Sequence, residues 1–392
     1  MRIQFDPEKH CLHCMQELPD INEPCPYCGF DTRSYKPLAH HLQPFTILYG
    51  RYLIGSVLGE GGFGITYSAY DLPEDRRVAI KELFITSIVK RQDTYVVLVD
   101  SSYHNIQYFE ECKDRFLREA NALQHLSDKK GVVDIYDQFK ENGTSYIVME
   151  FLDGGDLLTY LKKHGGRIEY PDAFALLRPI MKSMIEIHRA GIIHRDISPD
   201  NIRYLSDHRM KLMDFGSAKS TTTNTDGSLI LVKAGYAPPE QYALNYKIGP
   251  WMDVYAMGAT FYRCICGKPL KQSTNRANDH DIEPLANVYP KVPLAVESVL
   301  YKALALKPEN RFQDMFEFYK ALKEASGDLI DPSTDGQEEN KIETNENSDD
   351  YQSLLNEINN SKTNWSYVYL IVAVAILIDI ILVLWLLNRF RP

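Results

Sequence analysis

The chain has 392 residues, 44% of them hydrophobic and 24% charged, with a formal net charge of −10. That composition is ordinary for a globular protein, and the length leaves room for one two-lobed domain with accessories. No basic tract points to nucleic acid, and the acidic excess gathers between Asp328 and Glu357, where it reads as a solvated linker rather than a binding face.

Met1 to His10 has no apolar run, so no cleaved signal peptide is expected. Next come two C-x2-C pairs, Cys11-Leu12-His13-Cys14 and Cys25-Pro26-Tyr27-Cys28-Gly29. Each pair can set two thiolates on one side of a tight turn, and two such knuckles complete a tetrahedron around zinc. Residues 1–36 are too few to fold on an apolar core alone, so the metal would supply the stability. The segment resembles a zinc ribbon; disulfide pairing is disfavoured in a reducing compartment. Its surroundings are not strongly basic, which favours a protein contact over nucleic acid. A connector, 37–50, carries Pro37 and Pro44.

From 51 to 325 strands come first. Tyr52–Leu58 and Ile65–Ala69 flank a glycine-rich turn, and Arg77–Glu82 reads as a third strand. Ile106–Leu126 has helical spacing of Phe109, Phe116, Leu117, Ala120 and Leu123. Tyr146–Phe151 reads as a strand that Gly154-Gly155 ends. Helices then dominate: Ala173–Ala190, Met252–Cys266, Leu294–Ala305 and Met315–Glu324. Cys112, Cys264 and Cys266 fall in predicted helices as core residues. This order suits an α+β, bilobal fold, a small β-rich lobe before a larger α-rich one. Residues 326–364, rich in Asp, Glu, Asn and Ser, are expected to be a disordered acidic linker. Tyr367 to Leu387 is apolar apart from Asp379, and 365–387 is expected to form a single transmembrane helix, with 388–392 as a short tail.

Four motifs in this order carry chemistry. Gly59-Glu60-Gly61-Gly62-Phe63-Gly64 gives a turn that no side chain obstructs; alone it would be a simple hairpin. Val78-Ala79-Ile80-Lys81 places a lysine after an apolar strand, and Glu119 on the next helix is its natural ion-pair partner. An Asp at 196, after His194-Arg195, can accept a hydroxyl proton. Asn201 and Asp214, the latter in Asp214-Phe215-Gly216, offer oxygen ligands that suit Mg²⁺ or Mn²⁺. Together they can position ATP and neutralise a phosphoryl transition state.

Residues 51–325 resemble the eukaryotic-type protein kinase domain, and within it the Hanks-type serine/threonine kinases of bacteria. The resemblance implies ATP between the lobes and γ-phosphate transfer to protein Ser/Thr hydroxyls, including autophosphorylation. It makes Lys81 the phosphate lysine, Glu119 its partner, Asp196 the base, and Asn201 and Asp214 the metal ligands. Ala79 and the glycine-loop residues would contact nucleotide. Met149 takes the gatekeeper position, with Glu150 to Leu152 as the adenine-binding hinge. Glu240, in Pro238-Pro239-Glu240, should pair with Arg311, and Asp253 should brace the catalytic loop. Arg195 can bind a phosphate on the activation segment, which offers Ser220, Thr221, Thr222, Thr223, Thr225 and Ser228. The alternative is a pseudokinase scaffold that binds nucleotide and partners without transfer.

Three positions depart from the family pattern. Thr66 replaces a valine above adenine, and Arg203 replaces the leucine beneath it. Ser198 replaces the lysine that follows the catalytic Asp by two residues. Counting back from Glu240, Lys233 stands where the family has a threonine that touches that lysine, so the two residue types are exchanged between loops.

Kinase chemistry needs cytosolic ATP, so the expected topology is a single-pass bacterial membrane protein with its kinase inside. Arg389 and Arg391 beyond the helix, against Lys362 before it, run counter to the positive-inside tendency. Asp379 near mid-span is costly in lipid and is expected to face a partner helix, giving self-association. Protein substrates and the membrane are the expected partners, and nucleic acid is not.

Overall fold

A computed structural model of the chain describes residues 9–91, 95–126, 130–215, 219–220, 233–243, 246–289 and 291–327. β1 (Ile47–Leu48), β2 (Tyr52–Gly61), β3 (Gly64–Asp71) and β4 (Arg76–Leu83) lead the chain. With β7 (Ile135–Glu141) and β8 (Thr144–Glu150) they make one six-stranded antiparallel sheet in the order β1-β2-β3-β4-β8-β7. Ile54, Ile65, Val78, Ile80 and Val148 are fully buried, the inward half of each strand's alternation. A small hairpin of β5 (Val89–Lys90) and β6 (Leu98–Val99) precedes helix α1 (Tyr103–His125). The helix starts three residues before its apolar spacing does, because the Ser102 side chain accepts from Asn105 N at 3.2 Å and caps it.

A buried carboxylate ties the sheet to the connector. Glu82 accepts from Tyr146 Oη at 2.6 Å and Tyr67 Oη at 3.1 Å, and it pairs with the Arg91 guanidinium. Arg91 in turn donates to the carbonyl of His40 at 2.7 Å, and Tyr67 Oη accepts from Leu42 N at 3.1 Å. Every partner of the charge is thereby satisfied, the condition on which an ion can stay buried.

The second lobe is helical: α2 (Leu157–Lys163), α3 (Tyr170–Arg189), α4 (Trp251–Cys266), α5 (Leu285–Val288), α6 (Leu294–Ala303) and α7 (Met315–Ser326). α3 packs on α4 and α7. Tyr170, Phe174, Phe261 and Tyr319 meet there with ring centroids 5.9–6.5 Å apart. The lobe's strands are short: β9 (Gly155–Asp156), β10 (Ile192–Ile193), β11 (Ile202–Tyr204), β12 (Met210–Leu212) and β13 (Lys219–Ser220). They frame the loops that matter for function. Cys112, Cys264 and Cys266 are buried in α1 and α4.

The N-terminal knuckles sit on this scaffold. One is closed by Met15 and the other by Gly29, both at positive φ, with Met15 N bonded to Cys11 O and Gly29 N to Cys25 O. The Leu12 carbonyl accepts from Ser56 N at 2.7 Å and Ser68 Oγ at 2.5 Å. A Cβ on Gly55 would meet that same carbonyl at 2.2 Å, so only glycine lets the two backbones approach. Arg77 donates to Cys14 O at 3.4 Å and lies over the Phe151 ring at 5.3 Å. Phe151 itself packs against Cys11, Cys14, Leu18 and Cys25. The segment therefore grips β2 and the inter-lobe connection together. Among the described residues no helix is long and apolar enough to cross a membrane. The span expected at 365–387, Asp379 and almost all of the acidic linker lie outside the described residues.

Candidate active site

Between the lobes lies a cleft of about 540 Å³. Its roof is the β2–β3 hairpin, where Gly61 pairs with Gly64 and Gly62-Phe63 form the tip. A Cβ on Gly64 would meet Glu82 O at 2.6 Å, so the hairpin can lie this close to β4 only with glycine there. Ala79 and Met149, paired across β4 and β8, line the cleft with Leu58, Thr66, Val133 and Leu152. Glu150 also lines it, its carboxylate held by Lys211 Nζ at 2.5 Å. Arg203 forms part of the floor; its guanidinium is drawn aside to Gly154 O at 3.3 Å, which leaves the aliphatic stem for contact.

The catalytic loop runs from β10 to the 3-10 turn Pro199–Asn201 and is pinned from below by Asp253 in the first turn of α4. Asp253 Oδ1 accepts from Arg195 N at 2.8 Å, and Oδ2 accepts from His194 N at 2.8 Å and His188 Nε2 at 3.0 Å. Burial opposes the charge on Asp253, but the hydrogen bond from His188 and the nearby imidazoles and backbone N–H outweigh it, so the carboxyl lies below its ordinary range. Arg195 and Asp214 both adopt φ 69, a left-handed conformation costly for these residues and maintained by their surroundings. His194 Nε2 donates to Met213 O at 3.1 Å and Nδ1 accepts from Asp196 N at 3.2 Å. Burial holds that imidazole neutral by lowering its pKa.

Asp196 faces the cleft. Its Oδ2 accepts from Asn201 Nδ2 at 2.8 Å, which leaves Asn201 Oδ1 as an oxygen that could hold a metal beside Asp214. Burial pushes the Asp196 carboxyl above the usual carboxylate range, with Lys233 opposing the rise. A stronger base results, suited to taking a hydroxyl proton. The oxygen set of Asn201 and Asp214 fits magnesium or manganese, which when bound supplies charge neutralisation to the phosphates.

One expected contact is not made. Lys81 pairs with Asp214, not with Glu119. Glu119 and Lys81 both line a small cavity between α1 and the sheet that Phe215 also enters, and the Asp214 carboxylate is the anion the ammonium reaches. Glu240 does hold Arg311, with bonds of 2.6 and 2.9 Å. Lys233 Nζ lies 2.8 Å from Ser198 Oγ and 4.0 Å from Asp196 Oδ2. Arg195 donates to Tyr246 Oη at 2.9 Å. Residues 221–232, which hold most of the expected phosphoacceptors, lie outside the described residues, as do the side chain of Ser220 and Gly216.

Sequence reasoning missed the clasp on the glycine loop. Glu60 is held by His40 Nε2 at 2.8 Å and His41 Nε2 at 3.0 Å. Adjacent histidines in a proline-flanked connector were the only signal for it, and nothing local says which loop they reach.

The protein kinase domain family matches residues 52–320, the segment that holds all of this geometry. The chain belongs to the protein kinase family. The kinase is 30% identical over 295 residues to the serine/threonine-protein kinase PknL of Mycobacterium tuberculosis, covering 73% of this chain and 68% of that one. It is 29% identical over 294 residues to a Clostridium acetobutylicum protein named probable serine/threonine-protein kinase. That match covers 73% of this chain and 41% of the clostridial one, so the kinase spans about two fifths of that relative's length. A solved structure, the apo form of PpkA-294, superposes with a TM-score of 0.59 at 32% identity, over 72% of this chain and 99% of that one. Residues 52–320 are thus an ATP-dependent protein kinase domain of the bacterial serine/threonine type.

The four N-terminal thiols converge as well. Cys11 and Cys28 sulfurs are 3.7 Å apart and those of Cys14 and Cys25 3.6 Å, all four within 4.8 Å of one another. Sulfurs on a tetrahedral zinc with ~2.3 Å bonds stand about 3.8 Å apart. The hydrogen bond between Cys14 and Cys11, above all, lowers the pKa of the Cys11 thiol and raises that of Cys14.

Proposed function

We propose that the whole chain is a bacterial membrane-anchored kinase that transfers the γ-phosphate of ATP to Ser and Thr hydroxyls of proteins, itself included. The convergence of Asp196, Asn201, Asp214 and Lys81 in one cleft carries this reading. Full-length protein in detergent, given ATP labelled at the γ position with Mg²⁺, is expected to accumulate phosphoserine or phosphothreonine, and Asp196→Asn to slow this by about 10²–10⁴-fold. Nucleotide binding without transfer in the unaltered chain would establish the pseudokinase alternative instead. Phosphate on Ser220 to Ser228 would link Arg195 to switching.

The cysteine cluster holds a structural zinc in this reading, supported by sulfur spacing and by the absence of any disulfide among the described residues. Its place against Phe151 and β2 makes the ribbon an internal brace on the nucleotide cleft. Native mass spectrometry should find one zinc per chain, lost in Cys25→Ser; a metal-free native chain sinks it. The helix at 365–387 anchors the chain with the kinase on the cytoplasmic side. Digestion of the kinase by protease outside intact spheroplasts would reverse that topology. Asp379 mediates self-association, so Asp379→Leu should reduce crosslinking in the membrane; unchanged crosslinking would count against it.

A further inference from the structure

Two ammonium groups line the cleft, and they enter from opposite sides. Lys81 comes from the sheet and is engaged by Asp214. Lys233 comes from the loop facing Asp196. Its Nζ bonds Ser198 Oγ at 2.8 Å, lies 3.3 Å from Asp200 Oδ2 and stands 4.0 Å from Asp196 Oδ2. An ammonium has three donors, so Ser198 and Asp200 fix its position and a third N–H remains for the cleft.

The stem is fixed at its root. The Lys233 carbonyl accepts from Tyr236 N at 3.1 Å and Ala237 N at 3.0 Å, and both of those residues are buried. Ser198 is fully buried under the ammonium. A lysine at 198 would place a second cation against the first, so the site holds one amine, delivered from one loop or the other. Such a preset cation beside the proton acceptor is what a phosphoryl transfer needs where negative charge develops.

We infer that Lys233 is a catalytic residue that binds the transferring phosphoryl group, with Ser198 as the seat that positions it. In the step, the hydroxyl oxygen of a protein Ser or Thr forms its bond to the γ-phosphorus. The bond from that phosphorus to the β,γ-bridging oxygen breaks, and its electron pair leaves on ADP. The hydroxyl proton passes to an Asp196 carboxylate oxygen. Lys233 keeps its proton throughout and offsets charge on the phosphoryl oxygens. The inference rests on the kinase reading above.

The test compares Lys233→Met, which keeps the stem and removes the charge, with the double variant Ser198→Lys/Lys233→Thr. Lys233→Met should lower kcat by roughly 10²–10³-fold while KM for ATP and the affinity for ADP change little. The double variant should regain most of that loss, since it returns the amine to the same place. A binding readout accompanies them. Lys233→Met should leave the equilibrium dissociation constant for ADP, read by calorimetry, close to that of the unaltered chain, because the stem that lines the cleft is kept. Wild-type turnover in Lys233→Met overturns the inference and leaves the kinase reading standing. So does a double variant no faster than the single one. Absence of transfer by the unaltered chain overturns the kinase reading itself.

Discussion

Asp253 holds the catalytic loop by two backbone N–H bonds of 2.8 Å and a histidine at 3.0 Å, all buried inside the helical lobe. Across the cleft, Lys81 hangs on one ion pair with a carboxylate that is 39% exposed. The proton-accepting end of the site is thus built into the core, whereas the lysine at the phosphate end rests on a more exposed partner. The loop's geometry is over-determined by hydrogen bonds that cannot be traded for water. Lys81, Asp214 and Glu119 all border the cavity at α1. Control by movement of α1 or of the glycine loop would act on the second end and leave the first intact.

The largest effect should come from the rigid end. Asp196→Asn is expected to cut kcat by about 10²–10⁴-fold. It should not unfold the protein, because burial raises the Asp196 pKa and the charge works against the fold. A group raised in the folded state loses stability as pH climbs from its unfolded value, about 3.9, through the folded one. The variant should therefore match the wild type in urea near pH 3 and equal or exceed it at pH 7. A lower midpoint at pH 7 would contradict this sign.

Asp253 carries the opposite sign. Its carboxyl is depressed, so its stabilisation is present above about pH 3.9 and is lost as pH falls through the folded value. Asp253→Ala should cost about 3–5 kcal/mol at pH 7, since it strands buried donors. The loss should shrink in acid. A change within error at pH 7 would mean that the loop is held by something else.

Disrupting the cysteine cluster sharpens the contrast from the other side. The ribbon touches β2 and Phe151 but not Asp253. Cys25→Ser should lower stability by about 1–3 kcal/mol and weaken ADP binding. Hydrogen exchange at His194 N and Arg195 N should stay as slow as in the wild type relative to global unfolding. Selective loosening of those two amides would break the proposed division. The smallest effect belongs to the clasp on the glycine loop. Glu60→Gln keeps the shape and removes the charge, so it should change stability by no more than about 1 kcal/mol, measured by urea unfolding. A larger loss would show that the phosphate end is also part of the rigid core.

The chain by itself determined the lobes, the order of elements and the identity of the groups in the cleft. Each of these is written in local terms. Alternation marks β2–β4, helical spacing marks α1, α3, α4, α6 and α7, and fixed offsets mark the glycine turn and the 194–201 loop. Some elements escaped because their local signal is thin. β7, Ile-Tyr-Asp-Gln-Phe-Lys-Glu, buries Phe139 but leaves most of its residues partly exposed, so its strand state comes from pairing with β8. α2 is short and depends on Asp156, whose carboxylate caps Thr159 N.

Only the tertiary structure decided which groups the two cleft lysines meet. Lys81 and Glu119 are sequence-level partners, yet the packing of α1 and Phe215 gives the lysine to Asp214. Lys233 and Ser198 are 35 residues apart, and their exchange of residue type follows family spacing, but their contact at 2.8 Å is a property of two folded loops. The cysteine spacing predicts that four thiols converge, whereas the docking on Phe151 and Gly55 depends on surfaces built by strands far from it in the chain. Turn and helix signals act over a few residues and survive in sequence. The partner of a long charged side chain is set by distances of a few ångströms that only the finished fold defines.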